Sequence, residues 1–248
     1  MFDFEVKIAE GKKEIKQALR LRYEIFNLEL GKGSGLKQKR ALELDVDIYD
    51  KFCDHLIVID KIIDKVVGTY RFCLGSKVDK KIGFYSEKFF DIGKIKRLNE
   101  NYEILELGRS CIHRDYRCRP VINLLWSGIA KYVKDNNVRY LFGATRLLNS
   151  EPPEVSKIFK FIKEKYYAGS EFRVYPKAGN KFHGLRQDTE VKNHREILRK
   201  LPPLIRGYLN VGVLVCGLPA VNPDFGSVVI FILLDIEKIS PSYREHFF

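Results

Sequence analysis

The sequence predicts an α/β fold built on one sheet with mixed strand directions, and three observations predict it. Short β-branched runs alternate with segments of helical periodicity along the whole length. A strand, a basic turn, a helix opened by proline and a further strand follow one another near the middle. No Gly/Ser/Pro linker, low-complexity tract or internal repeat interrupts the order. At 248 residues the chain can bury a core of its own, as one large domain or two small ones. We read a single domain over residues 1–248, whose C-terminal part, about 150–248, completes the sheet and the pocket.

In chain order, residues 4–9 alternate as a first strand. Residues 12–30 carry a helical stripe of Ile15, Ala18, Leu19, Tyr23, Phe26 and Leu30, ended by Gly31-Lys-Gly-Ser-Gly35. Residues 55–60 and 66–74 are β-branched runs joined near Asp64-Lys65, the pattern of an antiparallel hairpin. Residues 84–90 form a short amphipathic piece. The central unit is a strand over 102–112, a polar turn, a helix from Pro120 to about Asp135 and a strand over 140–144. A helix over 155–164 follows, then a polar stretch to Arg199, and strands over 211–218 and 228–235.

The net charge of +12, from 44 Lys and Arg against 32 Asp and Glu, attracts an acidic partner. Nucleic acid, anionic lipid head groups and acidic carrier proteins all qualify. No RNP, helix-turn-helix or zinc-finger pattern is present and the polar residues cluster as a pocket, so nucleic acid is not expected. The longest apolar runs, such as 228–235, fall far short of the roughly 20 residues a membrane span needs. The start, Met1-Phe-Asp-Phe-Glu5, lacks the apolar core of a secretory signal, so a cytoplasmic location is expected. Five cysteines, Cys53, Cys73, Cys111, Cys118 and Cys216, form no C-x-x-C pair or Cys/His ligand pattern. They read as reduced thiols, and no metal is expected.

Four constellations could carry chemistry. Glu106-Leu-Gly-Arg109 lies in the central strand, where residues three apart face opposite sides unless a bulge near Gly108 intervenes. Such a bulge would aim backbone N–H groups at a bound carbonyl, as acyl transfer requires; a cross-strand salt bridge is the plainer reading. Asp45, Asp47 and Asp50 could hold an ammonium or help deprotonate it, or simply cap and turn an acidic loop. Their spacing is not that of a calcium loop. Arg114, Arg117 and Arg119, beside a helix N-terminus, make a site for a phosphopantetheine phosphate, or a solvated basic loop. Arg22 on an apolar helix stripe and Arg71 in the hairpin each want a partner, with Asp47 or Glu106 the candidates for Arg22. Cys111 and His113, on one strand face, invite a thiol-nucleophile reading, but no orienting acid stands out.

Together these stretches resemble the acyl-carrier-protein-dependent N-acyltransferases of ornithine lipid synthesis and, more distantly, the acyl-homoserine-lactone synthases, both of the GNAT superfamily. The resemblance rests on Arg22-x-x-x-Phe26, Asp47-Ile-Tyr-Asp50, Cys53-Asp-His-Leu56, Val67-Gly-Thr-Tyr-Arg71 and Phe84-Tyr-Ser-Glu87. It continues through Glu106-Leu-Gly-Arg-Ser110, Tyr116-Arg117, Leu124-Leu-Trp-x-Gly128-Ile, Leu141-Phe-Gly143, Leu201-Pro-Pro-Leu-Ile-Arg-Gly-Tyr-Leu209 and Asn222-Pro-Asp-Phe225.

The resemblance implies a GNAT fold with a mixed central sheet flanked by helices. It implies an N-acyltransferase that moves a fatty acyl group, 3-hydroxylated in the lipid pathway, from acyl carrier protein to the α-amine of an amino acid such as L-ornithine. Glu106 is then the general base, acting through water. Arg109, Asp47 and Asp50 fix the catalytic geometry, Arg22, Phe26, Arg71 and Ser110 contact substrate, and Arg114, Arg117 and Arg119 meet the carrier. No bound cofactor is implied. Two departures qualify the resemblance. Arg117-Cys-Arg-Pro-Val-Ile lacks the glycines of the usual pyrophosphate loop, which favours a carrier-protein thioester over coenzyme A. No tryptophan near Lys32 matches that of the lactone synthases, so their lactone-forming substrate is not assumed. A coenzyme-A-dependent acyltransferase, a lactone-synthase-like enzyme and a non-enzymatic basic module for nucleic acid or anionic lipid are the alternatives. The basic face would meet the carrier and the inner membrane surface.

Overall fold

Helices and strands alternate as the hydrophobic periodicity dictates, in a computed structural model that describes residues 3–31, 42–117, 120–147, 150–186, 188–191 and 193–247. The strands are β1 (Phe4–Ile8), β2 (Asp54–Asp60), β3 (Lys65–Leu74), β4 (Phe90–Asp91), β5 (Glu103–Ile112), β6 (Val138–Arg146), β7 (Tyr175–Pro176), β8 (Leu214–Val215), β9 (Ala220–Asn222) and β10 (Ser227–Asp235). The main helices are α1 (Gly11–Tyr23), α2 (Val121–Asp135), α3 (Pro152–Tyr166), α4 (His194–Lys200) and α5 (Pro203–Val211). The class is α/β with a mixed sheet and flanking helices. The described ladders are antiparallel, and a parallel bridge joins Tyr167 to Val215.

Two compact units divide the chain, and each is described by itself. The first draws on Met1–Ile82, Leu105–Asn137 and His246–Phe248. Its strands β1, β2, β3 and β5 pair in that order, all antiparallel. One sheet face takes α1, whose Ala18 and Leu21 pack with Ile25, Ile57, Ile59, Val66 and Cys111. The other takes α2 at close range, because a Cβ on Gly68 would lie 2.7 Å from Val121 and one on Gly128 2.7 Å from Leu56. Glycine is therefore required at both positions to let helix and sheet meet.

Helix α1 does not end at Tyr23 but continues as wider turns over Glu24–Glu29, closed by a bond from the Leu30 N–H to the Ile25 carbonyl, 3.0 Å. Such π-type turns insert an extra residue and re-aim the side chains that follow. The helical stripe expected over residues 12–30 is thus one helix in two geometries.

The second unit, Gly83–Ile104 with Val138–Glu245, pairs β10 with β6, β8 and β9 and packs α3 on α4 and β8. All nine residues of β10 are buried, as its continuous apolar run requires. Two expectations fail here. The polar stretch before Arg199 contains helix α4, whose first amides are accepted by the Asn193 side chain. The strand expected over 211–218 is mostly not one: Pro202 and Pro203 open α5, which runs to Val211, and Gly212 at φ 109° closes it. Only Leu214–Val215 is extended in pairing. The apolar run hid a helix end marked by its proline and glycine.

Candidate active site

The site grows from a short turn. Asp47 Oδ1 accepts the Tyr49 N–H at 2.9 Å, and Asp50 Oδ2 accepts the Asp47 N–H at 2.7 Å, a reciprocal cap around Ile48–Lys51. The remaining carboxylate capacity goes to three guanidinium groups. Arg22, at the end of α1, donates to Asp50 Oδ1 at 2.7 Å and Asp45 Oδ1 at 2.8 Å. Arg71, on β3, donates to Asp47 Oδ1 at 2.6 Å and Asp50 Oδ1 at 3.1 Å. Arg109, on β5, donates to Asp47 Oδ2 at 3.0 Å. Three cations and three anions form a neutral ring, whose Arg22 side chain is 0% exposed and Asp45 side chain 4%.

Arg109 joins this ring because β5 is bulged. Thr69 pairs with Cys111 and Arg71 with Gly108, so β5 spends one more residue than β3 across that step. Arg109 sits at φ 51°, a left-handed backbone that a non-glycine residue adopts only where its surroundings hold it. Glu106 opposes Cys73, two residues from Arg71 on the same sheet face, and is 2% exposed. Glu106 and Arg109 therefore serve one side of the sheet, and the bulge takes in Ser110. Phe26, on the wide turns after α1, lies under the Arg109 guanidinium at 6.0 Å from ring centroid to Cζ.

The electrostatics follow from the ring. Burial alone would raise the Asp47 and Asp50 carboxyls, but the guanidiniums outweigh it: Arg71 and Arg109 hold Asp47 well below the usual carboxylate range, and Arg22 and Arg71 lower Asp50. Burial would lower Arg22, and the facing carboxylates raise it instead. Carboxylates held so low are poor proton acceptors at neutral pH; their charge is committed to the arginines. The pairing expected of Arg22 with Asp47 or Glu106 is corrected: its partners are Asp45 and Asp50.

Sequence reasoning missed two members. His55 is the cross-strand partner of Arg71 and is buried, with Nε2 3.9 Å from Asp50 Oδ1, beyond hydrogen-bond range. Burial, reinforced by Arg22, lowers it to about 4, so it is neutral at pH 7. Tyr49 lies against Arg71, its ring centroid 5.4 Å from Cζ. A lone histidine in an apolar strand, within Cys53-Asp-His-Leu56, was the signal available for the first.

Other candidates stand apart from the ring. Arg117 is committed to Glu29 by a two-pronged ion pair at 2.7 Å, and Arg114 contacts Asp115 at 3.6 Å. Among the described residues neither shares a hydrogen bond or ion pair with the ring. Arg119 lies outside the described residues, as does Cys118. Burial pushes the Cys111 thiol up to about 12, which removes it as a nucleophile. The reading of uniformly reduced thiols is corrected: Cys53 and Cys73 are disulfide-bonded, with Cα atoms 4.6 Å apart. Cys53 precedes β2 opposite Cys73, a neighbour relation that spacing in the sequence does not reveal. Among the described residues no group of three His, Cys, Asp or Glu is arranged to hold a metal ion, and no helix is long and apolar enough to cross a membrane.

Residues 21–127, which hold the bulged strand and the whole ionic ring, match the family described as Acetyltransferase (GNAT) domain. The chain is an acyltransferase. It is similar over nearly its whole length to the L-ornithine N(alpha)-acyltransferase of Brucella abortus, 29% identical, covering 98% of this chain and 88% of the relative. The same enzyme of Rhizobium meliloti is 29% identical, covering 99% of this chain and 84% of the relative. Among solved structures, an N-acyl amino acid synthase from uncultured soil microbes shares the fold at TM-score 0.56 and 10% identity, over 99% of this chain and 96% of its own. The acyl-homoserine-lactone synthase LasI does so at TM-score 0.51 and 14% identity, over 100% of this chain and 96% of its own.

Proposed function

We propose that the chain is an N-acyltransferase that moves a fatty acyl group, 3-hydroxylated in its natural donor, from acyl carrier protein to the α-amine of L-ornithine, giving a lyso-ornithine-lipid product. The observation that carries this reading is the similarity to ornithine acyltransferases along 98% or more of the chain. The amine nitrogen attacks the thioester carbonyl carbon, the C–S bond breaks, and the carrier thiolate leaves and takes up a proton. Glu106, through a water molecule, accepts the proton that the amine loses. Backbone N–H groups of the bulge at Gly108–Ser110 face the thioester oxygen as it gains charge, and Ser110 adds a hydroxyl beside them.

In this reading Arg22, Arg71, Asp47 and Asp50 are positioning residues. Their ring holds Arg109 and Phe26 at the substrate side, and it needs no mobile proton. Arg114, Arg117 and Arg119 receive the acidic carrier and its phosphodiester, Arg117 exchanging Glu29 for a carrier carboxylate or phosphate. The glycine-free turn after Arg117 favours a carrier donor over coenzyme A. The protein works in the cytoplasm, and its excess of positive charge brings it to the anionic inner membrane face where a lipid-like product is released.

The test is to incubate the purified protein with 3-hydroxyacyl carrier protein and a panel of amino acids and to seek the acyl-amide by mass spectrometry. Acyl-ornithine is the expected product; turnover only with an acyl-coenzyme A donor would overturn the donor assignment. Glu106→Gln should lower the transfer rate by about 10²–10⁴ while carrier binding, followed by titration, is retained. Normal turnover in that variant would remove Glu106 from the mechanism.

A further inference from the structure

The Cys53–Cys73 disulfide lies on the sheet face that carries Arg71 and Glu106, and the function above leaves it unused. Cys73 lies on β3 two residues from Arg71 and directly opposite Glu106 on β5. Cys53 lies three residues after Asp50, at the end of the turn that carries the carboxylates. The bond therefore ties residues 45–53 to the strand that holds Arg71, on the side where Glu106 faces it. The bond is not what sets the β2–β3 register, since the two strands pair over seven residues from Asp54↔Phe72 to Asp60↔Lys65. The chain's other described cysteines, Cys111 and Cys216, are buried free thiols and stand outside this pair.

We propose that Cys53–Cys73 is a reversible redox site whose reductant is a dithiol, and that its state sets how firmly the carboxylate turn is held against Arg71. The proposal rests on the acyl-transfer reading for its functional consequence only. Both residues are buried, Cys53 the less so, 8% exposed against 1% for Cys73. A dithiol thiolate attacks Cys53 Sγ, the S–S bond breaks, and Cys73 Sγ leaves as a thiolate that takes up a proton. The second thiol of the reductant then resolves the mixed disulfide, so two electrons and two protons pass to the protein and the reductant becomes a disulfide. Oxidised, the turn is clamped; reduced, it depends on Asp–Arg hydrogen bonds alone, and Glu106 faces a thiol in place of a disulfide.

The experiment equilibrates the full chain in graded mixtures of reduced and oxidised dithiothreitol. Three quantities are read: alkylatable cysteine by mass spectrometry, amide exchange over residues 45–53, and acyl transfer. A single two-electron transition of the folded protein is expected, with amide exchange in that segment about tenfold faster and transfer about fivefold slower when reduced, both restored on reoxidation. The Cys53→Ser/Cys73→Ser variant should behave as the reduced form and ignore the buffer. A pair that stays oxidised until the protein unfolds would overturn the proposal, as would reduction that leaves the exchange of 45–53 unchanged. Absence of transfer with every donor would sink the acyl-transfer reading alone, because alkylation and exchange report on the redox site without it.

Discussion

Two ion-pair networks in this chain use the same side-chain chemistry and stand in opposite surroundings. The ring of Arg22, Arg71 and Arg109 with Asp45, Asp47 and Asp50 is sealed, its most exposed side chain only 12% accessible. Arg139, in the second unit, bonds Asp235 at 2.7 Å and Glu237 and lies against Tyr102 and Tyr140, but Glu237 is 69% exposed and the network opens to water. The sealed network shares Asp47 and Asp50 each between two arginines, so loss of one arginine strands buried charge. The open one returns Glu237 to solvent, which screens it, and leaves the buried Asp235 with the Glu237 N–H at 3.0 Å and the Lys238 ammonium at 3.8 Å. A buried ion cluster is a costly way to gain stability and a good way to hold a geometry, and this one holds Arg71 on β3 and Arg109 on β5, the strand that carries Glu106.

The largest effect should come from breaking the sealed ring. Arg22→Ala leaves Asp45 and Asp50 without their main partner and should cost about 3–5 kcal/mol, read from urea denaturation. A loss no larger than that of Arg139→Ala would erase the distinction between the two networks.

Next in size is a pH effect. His55 is lowered from 6.5 to about 4 in the folded state, so the unfolded chain binds the proton more readily. Its contribution is fully present above pH 6.5 and is lost as pH falls from there toward 4, amounting to about 3 kcal/mol. His55→Gln should flatten that part of the stability profile. Asp47 and Asp50, held below their usual 3.8, contribute above that value and lose their share only as pH falls beneath it. A profile falling steeply between pH 6.5 and 4 in both wild type and His55→Gln would assign the loss to other groups.

The smallest effect is expected at the open network. Arg139→Ala should cost about 1–2 kcal/mol, since the buried Asp235 keeps the Glu237 N–H and Lys238 as partners, and leave acyl transfer unchanged. Added salt should weaken the wild-type contact there while leaving the sealed ring intact.

Much of the site could be read before any coordinates. The bulge condition at Glu106-Leu-Gly-Arg109 follows from strand periodicity: two polar residues three apart can share a face only if one extra residue is inserted. The acidic turn at Asp45, Asp47 and Asp50 and the need of Arg22 for a partner follow from charge on apolar periodicity. The pairing of Arg22 with Asp45 and Asp50 was not legible, because several carboxylates lay within plausible reach and only their placement chooses among them. His55 was hidden for a related reason: a histidine in a strand becomes part of a charged ring only through the residues across the ladder. Helix α5 was misjudged where an apolar run, Val211 to Cys216, outweighed the proline and glycine that bound the helix.

The sequence by itself determined the alternation of elements, the basic balance and the residues that carry the resemblance to N-acyltransferases, since periodicity, charge and motif order are local properties of a chain. Only the tertiary structure decided which acid meets which arginine, that Cys53 and Cys73 bond, and that Arg117 is held by Glu29. These are contacts between residues 20 to 88 positions apart, and the order of residues along a chain does not specify distances across a sheet.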